Sequence, residues 1–337
     1  SIQTMNFILK KNSSKDNYSF LHSKLINHNK SELDATSLLK QQKSTNNVIL
    51  NPKLKRQDFI DNYLVFGNKE VSKLLSKIKS KANFSLDEKE EVAQGIVPNP
   101  DVIGVRNIKK ISPSVLSKNN IVRGAGVFVV DRGYFKGLSS KELSFIKPVY
   151  EPYLCERYSL GVFDKEMIYS TVDNSIDSSH KTLYSHLYKF KEIMDERREN
   201  LKGARTFCQL HWPRDPKFFN TGSKILSVRK CGNPTFIHSV KEIYVMMSFN
   251  VIVSKRINLK YLTAILNSNL CEFWLKNKGK MQGDNFQIDK EPLLSIPIVK
   301  SKDKTVVSKL SQLVDDISLA KQNQTNATTQ KEQDFLE

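Results

Sequence analysis

The stretch spanning residues 261–298 constrains the fold of this chain more than any other. Tyr261, Leu262, Ile265, Leu266, Leu270, Phe273 and Trp274 recur at the i, i+3, i+4 spacing that gives a helix one apolar face, predicting an amphipathic helix over residues 261–276. Asn267, Ser268 and Asn269 form a polar notch in it, and a basic turn with Lys276, Lys278 and Lys280 follows. After a glycine-punctuated gap comes the apolar run Leu293-Leu294-Ser295-Ile296-Pro297-Ile298, read as a strand. A helix that must bury one face, a basic loop and an apolar strand in that order call for helices packed against a sheet.

Charge sets the kind of partner. Across 337 residues, 53 Lys and Arg stand against 35 Asp and Glu, a net charge of +18. Such an excess favours a polyanion, with nucleic acid the first candidate. No lipidation motif or basic amphipathic tail points to a membrane. An apolar content of 39% supports real cores, enough for two or three domains. The four cysteines, Cys155, Cys208, Cys231 and Cys271, are scattered without metal-ligand spacing, so neither zinc nor a disulfide framework is expected. A reducing, cytoplasmic setting fits them. No apolar run approaches the length of about 18 residues that a membrane helix needs. The chain opens without Met, inside a strand-like run, and reads as a fragment of a larger protein.

The organisation follows from composition. Residues 1–11, with Ile2, Met5, Phe7, Ile8 and Leu9, read as a strand stopped by lysines. Residues 12–60 are a polar connector with a short helix near 31–42 and a strand end at Val48-Ile49-Leu50. Residues 61–92 form a helical spacer: Val71, Leu74, Leu75 and Ile78 share a face, and Ser85 with Glu88 offers a capping box for a second helix ending at Gly95. Residues 93–300 are β-rich and glycine-punctuated, with a strand at 167–172, a helix at 184–201 and a second β-rich block over 207–254. A last helix over 306–321 carries Val307, Leu310, Leu313, Val314 and Ile317, giving a C-terminal helical unit at 301–321. The tail, 322–337, is low-complexity and expected to be disordered. The fold class is therefore α+β: small twisted, mostly antiparallel sheets flanked by helices, with a helical C-terminal end.

Catalytic chemistry is missing from this pattern. The turns at Asn51-Pro52, Asn99-Pro100 and Asn233-Pro234 lack the second proline of an amino-methylating Asn-Pro-Pro-aromatic motif. Gly124-Ala125-Gly126 enters a strand rather than a helix, so it does not form a dinucleotide-binding turn. Asp87-Glu88-Lys89 has nuclease-like letters but sits at an expected helix start. No catalytic residue, bound cofactor or metal site is assigned.

Four segments combine cations with planar or amide groups. In residues 201–219, Lys202, Arg205, Arg214 and Lys217 supply phosphate attraction, while Gln209 and His211 have the donors and acceptors to pair with base edges. Trp212 in that segment can wedge or stack, with a place in the core the favoured reading. Arg229 and Lys230 precede a Gly-Asn-Pro turn, from which an Arg can fork onto guanine or pair with a neighbouring acid. In residues 277–288, Lys278, Lys280 and Gln282 lie among glycines that permit close approach of a backbone. The fourth segment, residues 145–158, carries Lys147-Pro148 and Arg157-Tyr158.

The order of these motifs, from Lys147-Pro148 and Arg157-Tyr158 through Lys224-Ile225 and Arg229 to the Leu266-Asn267-Ser268 helix and Leu293–Ile298 run, resembles the C-terminal specificity domain of Taq-like adenine-specific DNA methyltransferases. Such domains also form the recognition part of type IIG restriction-modification proteins. The resemblance spans roughly residues 91–317, and it implies that the Lys147-Pro148 and Arg157-Tyr158 element is scaffold rather than base reader. It implies a bacterial target-recognition domain at 93–300 that reads double-stranded DNA and does no chemistry itself. It also implies that residues 1–11 close the sheet of an upstream methyltransferase domain acting in cis with S-adenosylmethionine, with or without a fused endonuclease. A stand-alone specificity subunit docking on separate catalytic subunits is the alternative, and a non-catalytic RNA-binding or scaffold protein is a third reading.

Overall fold

In the computed structural model the described residues are 17–19, 22–25, 31–50, 53–55 and 69–326. The strand expected over residues 1–11 lies outside them.

The centre of the molecule is a four-stranded antiparallel sheet ordered Phe236–Ser239, Lys224–Val228, Phe249–Ile252, Val92–Gln94. It is buried on both faces because alternate side chains serve two different cores. Leu226, Val228, Phe249, Val251 and Ile237 enter the first core. Their neighbours Ile225, Ile252, Phe236 and Val92 enter the second. The strand Val92–Gln94 straddles the boundary at residue 93 read from composition, and Leu75, on the helix Lys69–Lys81, is buried in the second core.

The first core is closed by another four-stranded sheet, ordered Tyr244–Val245, Ile146–Tyr150, Lys165–Ile168, Val129–Asp131. All its pairings are antiparallel except that of Tyr244–Val245 with Ile146–Tyr150. The helix expected over 184–201 is three short ones, Lys181–Tyr188, Lys191–Asp195 and Arg198–Leu201. The carboxylate of Glu142 accepts from the Thr182 and Leu183 N–H groups and so caps the first of them.

The second core is covered by helices. The single helix expected over 261–276 is two, Leu259–Leu266 and Asn269–Lys278. The polar notch is the reason. Ser268 caps the second helix by accepting from the Cys271 N–H at 3.2 Å. Asn267 turns inward, accepting from the Phe236 N–H at 3.0 Å and donating to the Phe236 carbonyl at 2.8 Å. Of the run 293–298 expected as strand, Leu293 and Leu294 instead end the helix Lys290–Leu294, and Ile298 bridges to Phe84. The last helix, Lys304–Asn326, lies along Leu259–Leu266 and runs five residues into the segment expected to be a disordered tail.

Two further expectations differ in detail. The strand expected over 167–172 is Lys165–Ile168. Ser85 opens no helix; Asp87 instead accepts from the Lys89 and Glu90 N–H groups in a turn. That turn presents Glu91, which is nearly buried and receives Arg256 Nε at 2.9 Å, Arg256 Nη2 at 2.5 Å, Ser254 Oγ at 2.5 Å and the Asp87 N–H at 2.8 Å. Burial pushes this carboxyl up, yet the hydrogen bonds from Arg256, Ser254 and Asp87 outweigh it and hold the group at about 2, against an ordinary 4.5. Because the folded value is depressed, the stabilisation is complete above pH 4.5 and fades as pH falls through about 2. Glu91→Gln should therefore flatten the stability profile over that window and lower neutral-pH stability by about 1–2 kcal/mol, a figure discounted for the half-exposed Arg256. Urea unfolding at several pH values checks both.

Candidate nucleic-acid interface

Strand alternation aims the basic side chains. A three-stranded antiparallel sheet, ordered Lys230–Cys231, Asn285–Gln287, Lys280–Gln282, brings the strand after Arg229 against the glycine loop, two segments about fifty residues apart in sequence. Cys231, Phe286 and Met281 are paired across one face and turn toward the second core. Lys230, Gln287 and Lys280 are paired on the other, with Gln282 opposite Asn285 beyond them. Lys230, Lys280 and Gln282 are exposed. Gly283 takes φ +64° at the first position of the two-residue connection to Asn285, the place where a type II′ hairpin turn favours glycine. Gly279 is also required: a Cβ there would lie 2.5 Å from the Leu275 carbonyl oxygen.

Asp289 fixes this sheet to the core. Its carboxylate receives Arg229 Nη2 at 2.5 Å, Gln287 Nε2 at 2.9 Å and Lys280 Nζ at 3.2 Å. Burial raises the Asp289 carboxyl, and the hydrogen bonds from Arg229 and Lys280 reverse this and lower it. The Ile288 N–H donates to the Arg229 carbonyl at 2.7 Å, and buried Asn250 donates to the Ile288 carbonyl at 2.8 Å.

Arg229 links onward to residues 209–214. Its Nη1 donates to the Met247 carbonyl at 2.5 Å, which also accepts from Gln94 Nε2 at 3.4 Å. Gln94 in turn accepts from Arg214 Nη2 at 3.5 Å. Arg214 adopts a left-handed φ of +64°, its Nε donates to the Gly95 carbonyl at 3.2 Å, and its guanidinium lies 5.2 Å from the Trp212 ring centre. Gly95 admits no side chain here, since a Cβ would sit 2.0 Å from the Met246 carbonyl oxygen. Trp212, read from sequence as core, is 49% exposed, and Met247 beside this chain is 52% exposed. The result is one strip at the Val228 end of the central sheet: Trp212, Arg214, Met247, Arg229, Lys230, Lys280. Cations flanking exposed apolar and aromatic surface suit a polyanion that also offers flat bases.

The remaining candidates separate. Gln209 is buried, accepting from the Thr206 N–H and donating to Ser175 Oγ, both at 3.0 Å. Its expected role at base edges is corrected: flanking Cys208 and Leu210 enter the first core and carry Gln209 inward. His211 stacks on Trp212 at 4.6 Å, with Nδ1 3.1 Å from Glu199, and so braces the tryptophan instead of projecting outward. Lys202 is exposed on the loop after the helix Arg198–Leu201, and Arg205 is half-buried on the same loop. Lys278 ends the helix Asn269–Lys278 and is half-buried. Arg157 binds the Pro234 carbonyl at 2.9 Å and Glu272 at 2.7 Å, a scaffold contact as expected. Asp289, Met247 and Gln94 went unread in the sequence, and only the lone acid after Phe286-Gln287-Ile288 gave a signal. Among the described residues no three His, Cys, Asp or Glu side chains are grouped to hold a metal, and no helix is long and apolar enough to cross a membrane.

Residues 169–298 match the family model of the TaqI-like C-terminal specificity domain. The match is narrower than residues 91–317, and leaves the Lys147 and Arg157 element outside it. No curated protein matches. Among solved structures, the type IIL restriction-modification enzyme MmeI in complex with DNA is similar over 86% of this chain and 34% of its own, at 9% identity and TM-score 0.49. The type IIG restriction endonuclease BpuSI is similar over 83% of this chain and 32% of its own, at 11% identity and TM-score 0.40. The chain thus spans about a third of the length of these structures.

The Arg229–Asp289 pair is mostly shielded from solvent on both sides. A double-mutant cycle with Arg229→Ala and Asp289→Ala should give a coupling of about 1–2 kcal/mol in urea unfolding, above the range of exposed pairs. A coupling near zero would mean the pair does not anchor the small sheet.

Proposed function

With residues 169–298 a TaqI-like C-terminal specificity domain, we propose that this chain reads double-stranded DNA for a restriction-modification system. The observation that carries this reading is the continuous strip from Trp212 to Lys280, built from segments far apart in sequence and held by the hydrogen-bonded series Arg214, Gln94, Met247 carbonyl, Arg229, Asp289. Lys230 and Lys280 neutralise phosphates and set register. Arg214, pre-oriented by the Gly95 carbonyl, presents its guanidinium beside Trp212 to bases, Arg229 behind it holds the Met247 carbonyl and Asp289 in place, and Gln282 and Asn285 at the hairpin tip offer amide pairs for adenine. Trp212, braced by His211, supplies a flat surface for stacking or wedging.

The parent activity follows from the same reading as a proposal: a methyltransferase domain in cis transfers a methyl group from S-adenosylmethionine to an adenine presented by this domain. That adenine would be flipped from the duplex while this chain holds its surroundings. The chain itself contributes grip and discrimination, not group transfer.

Binding isotherms on a randomised duplex pool, followed by sequencing of the bound fraction, test this directly. The wild-type chain should enrich a defined sequence. Gln282→Ala, at an exposed hairpin position, should reduce that enrichment about tenfold while largely keeping non-specific binding. Lys230→Ala should weaken all duplexes alike and reduce the salt slope by about 1. Equal retention of every sequence by the wild-type protein would refute the assignment.

A further inference from the structure

A second basic surface lies at the other end of the central sheet. Strand Lys224–Val228 leads from it to Arg229, a separation of roughly 15 Å for five extended residues. There, a groove of about 870 Å³ is formed by the loop after Phe249–Ile252, the starts of helices Leu259–Leu266 and Lys304–Asn326, and the connector between Ile298 and Lys304. Lys255, Arg256, Lys260, Lys300, Lys302 and Lys304 line it, and no carboxylate side chain does. In a chain where acids number two-thirds of the bases, six cations without one acid is a marked segregation of charge.

Two of the six are neutralised from outside the groove, Arg256 by Glu91 at 2.5 Å and Lys260 by Asp315 at 2.6 Å. Among the described residues the other four have no carboxylate within ion-pair distance. The walls that carry them are held at two points. The Lys300 N–H donates to Asn83 at 2.7 Å, Asn83 donates back to the Lys300 carbonyl at 3.2 Å, and the Arg256–Glu91 contact pins the opposite wall. Both helices begin at the groove, so their N-terminal partial positive charges add to the field, although Asn258 and Asp303 already satisfy leading N–H groups.

We propose that this groove binds the sugar–phosphate backbone of duplex DNA flanking the sequence read at the Trp212–Lys280 strip. The inference rests on the DNA-reading function proposed above. The groove is wide, open and lined by point charges on a fixed scaffold, which suits a row of phosphates better than one compact anion. Its ring and guanidinium groups are engaged within the fold, Tyr261 with the Val299 carbonyl, His238 with Ser223 and Arg256 with Glu91, so its contribution is grip independent of sequence.

The test compares the full chain with two charge-matched triple variants on a long mixed-sequence duplex, titrated between about 50 and 200 mM salt. One variant is Lys255→Glu/Lys302→Glu/Lys304→Glu. The control, Lys109→Glu/Lys118→Glu/Lys141→Glu, reverses exposed lysines on or at the end of short helices around the first core. Circular dichroism confirms that both fold. The groove variant should bind at least tenfold more weakly and with a salt slope shallower by about 2–3, while keeping the wild-type sequence preference. The control should stay near wild type. A groove variant that binds like wild type, or a control that loses as much, overturns the groove alone. A wild-type chain that binds no DNA overturns both this inference and the proposed function.

Discussion

Burial of the central sheet on both faces is the constraint on which the rest of the structure depends. Strand Lys224–Val228 is buried at every position, sending Ile225 to one core and Leu226 and Val228 to the other. A one-residue slip would exchange these sets and spoil both cores together, so register is fixed from two sides. Even Lys224, at the strand's start, is inside: its ammonium donates to the Gly222 and Lys241 carbonyls at 2.8 and 2.6 Å, and burial brings its pKa down to about 8. The ends of such a sheet are determined as firmly as its middle, and each end carries a basic surface.

The helices over the second core are docked to this sheet by one side chain. Asn267 makes a two-way hydrogen bond with the backbone of Phe236 while itself 5% exposed. It terminates one helix, leaves Ser268 to start the next, and ties the break to the edge strand. An amide both accepts and donates at one site, which a serine or aspartate cannot do with the same reach. The notch is thus a joint, with the helix axis changing where the sheet requires it.

Much of the architecture was legible because it depends on periodicity. Of the apolar positions from Tyr261 to Trp274, all but the half-exposed Leu270 turn toward the second core, and the runs at Lys224–Val228 and Phe249–Ile252 are strands. What escaped is what depends on a distant partner. The break at Asn267 needs Phe236; the inward turn of Gln209 needs Ser175; helix rather than strand at Leu293 and Leu294 reflects their packing into the second core. The basic candidates Arg229, Lys230, Lys280 and Gln282 were readable singly, because charge is local. Their convergence was not, because it is set by pairing of Lys230 with Gln287 and by Asp289. Trp212 shows the same limit: hydrophobicity suggested the interior, and the arrangement of Val97, His211 and Arg214 around it leaves half the ring outside.

The Lys280–Gln287 hairpin is joined to the body through few points: Met281 and Phe286 on its inner face, Ile288 on Asn250, and Asp289 on Arg229. On its outer face Lys280 and Gln287 bond Asp289, while Gln282 and Asn285 are exposed. Residues 282 and 285 can therefore change identity with little effect on folding stability, so the cost of mutation there falls on recognition alone. A lineage under pressure to alter its target has, in this hairpin tip, a place where substitutions can accumulate while the framework that displays them stays intact.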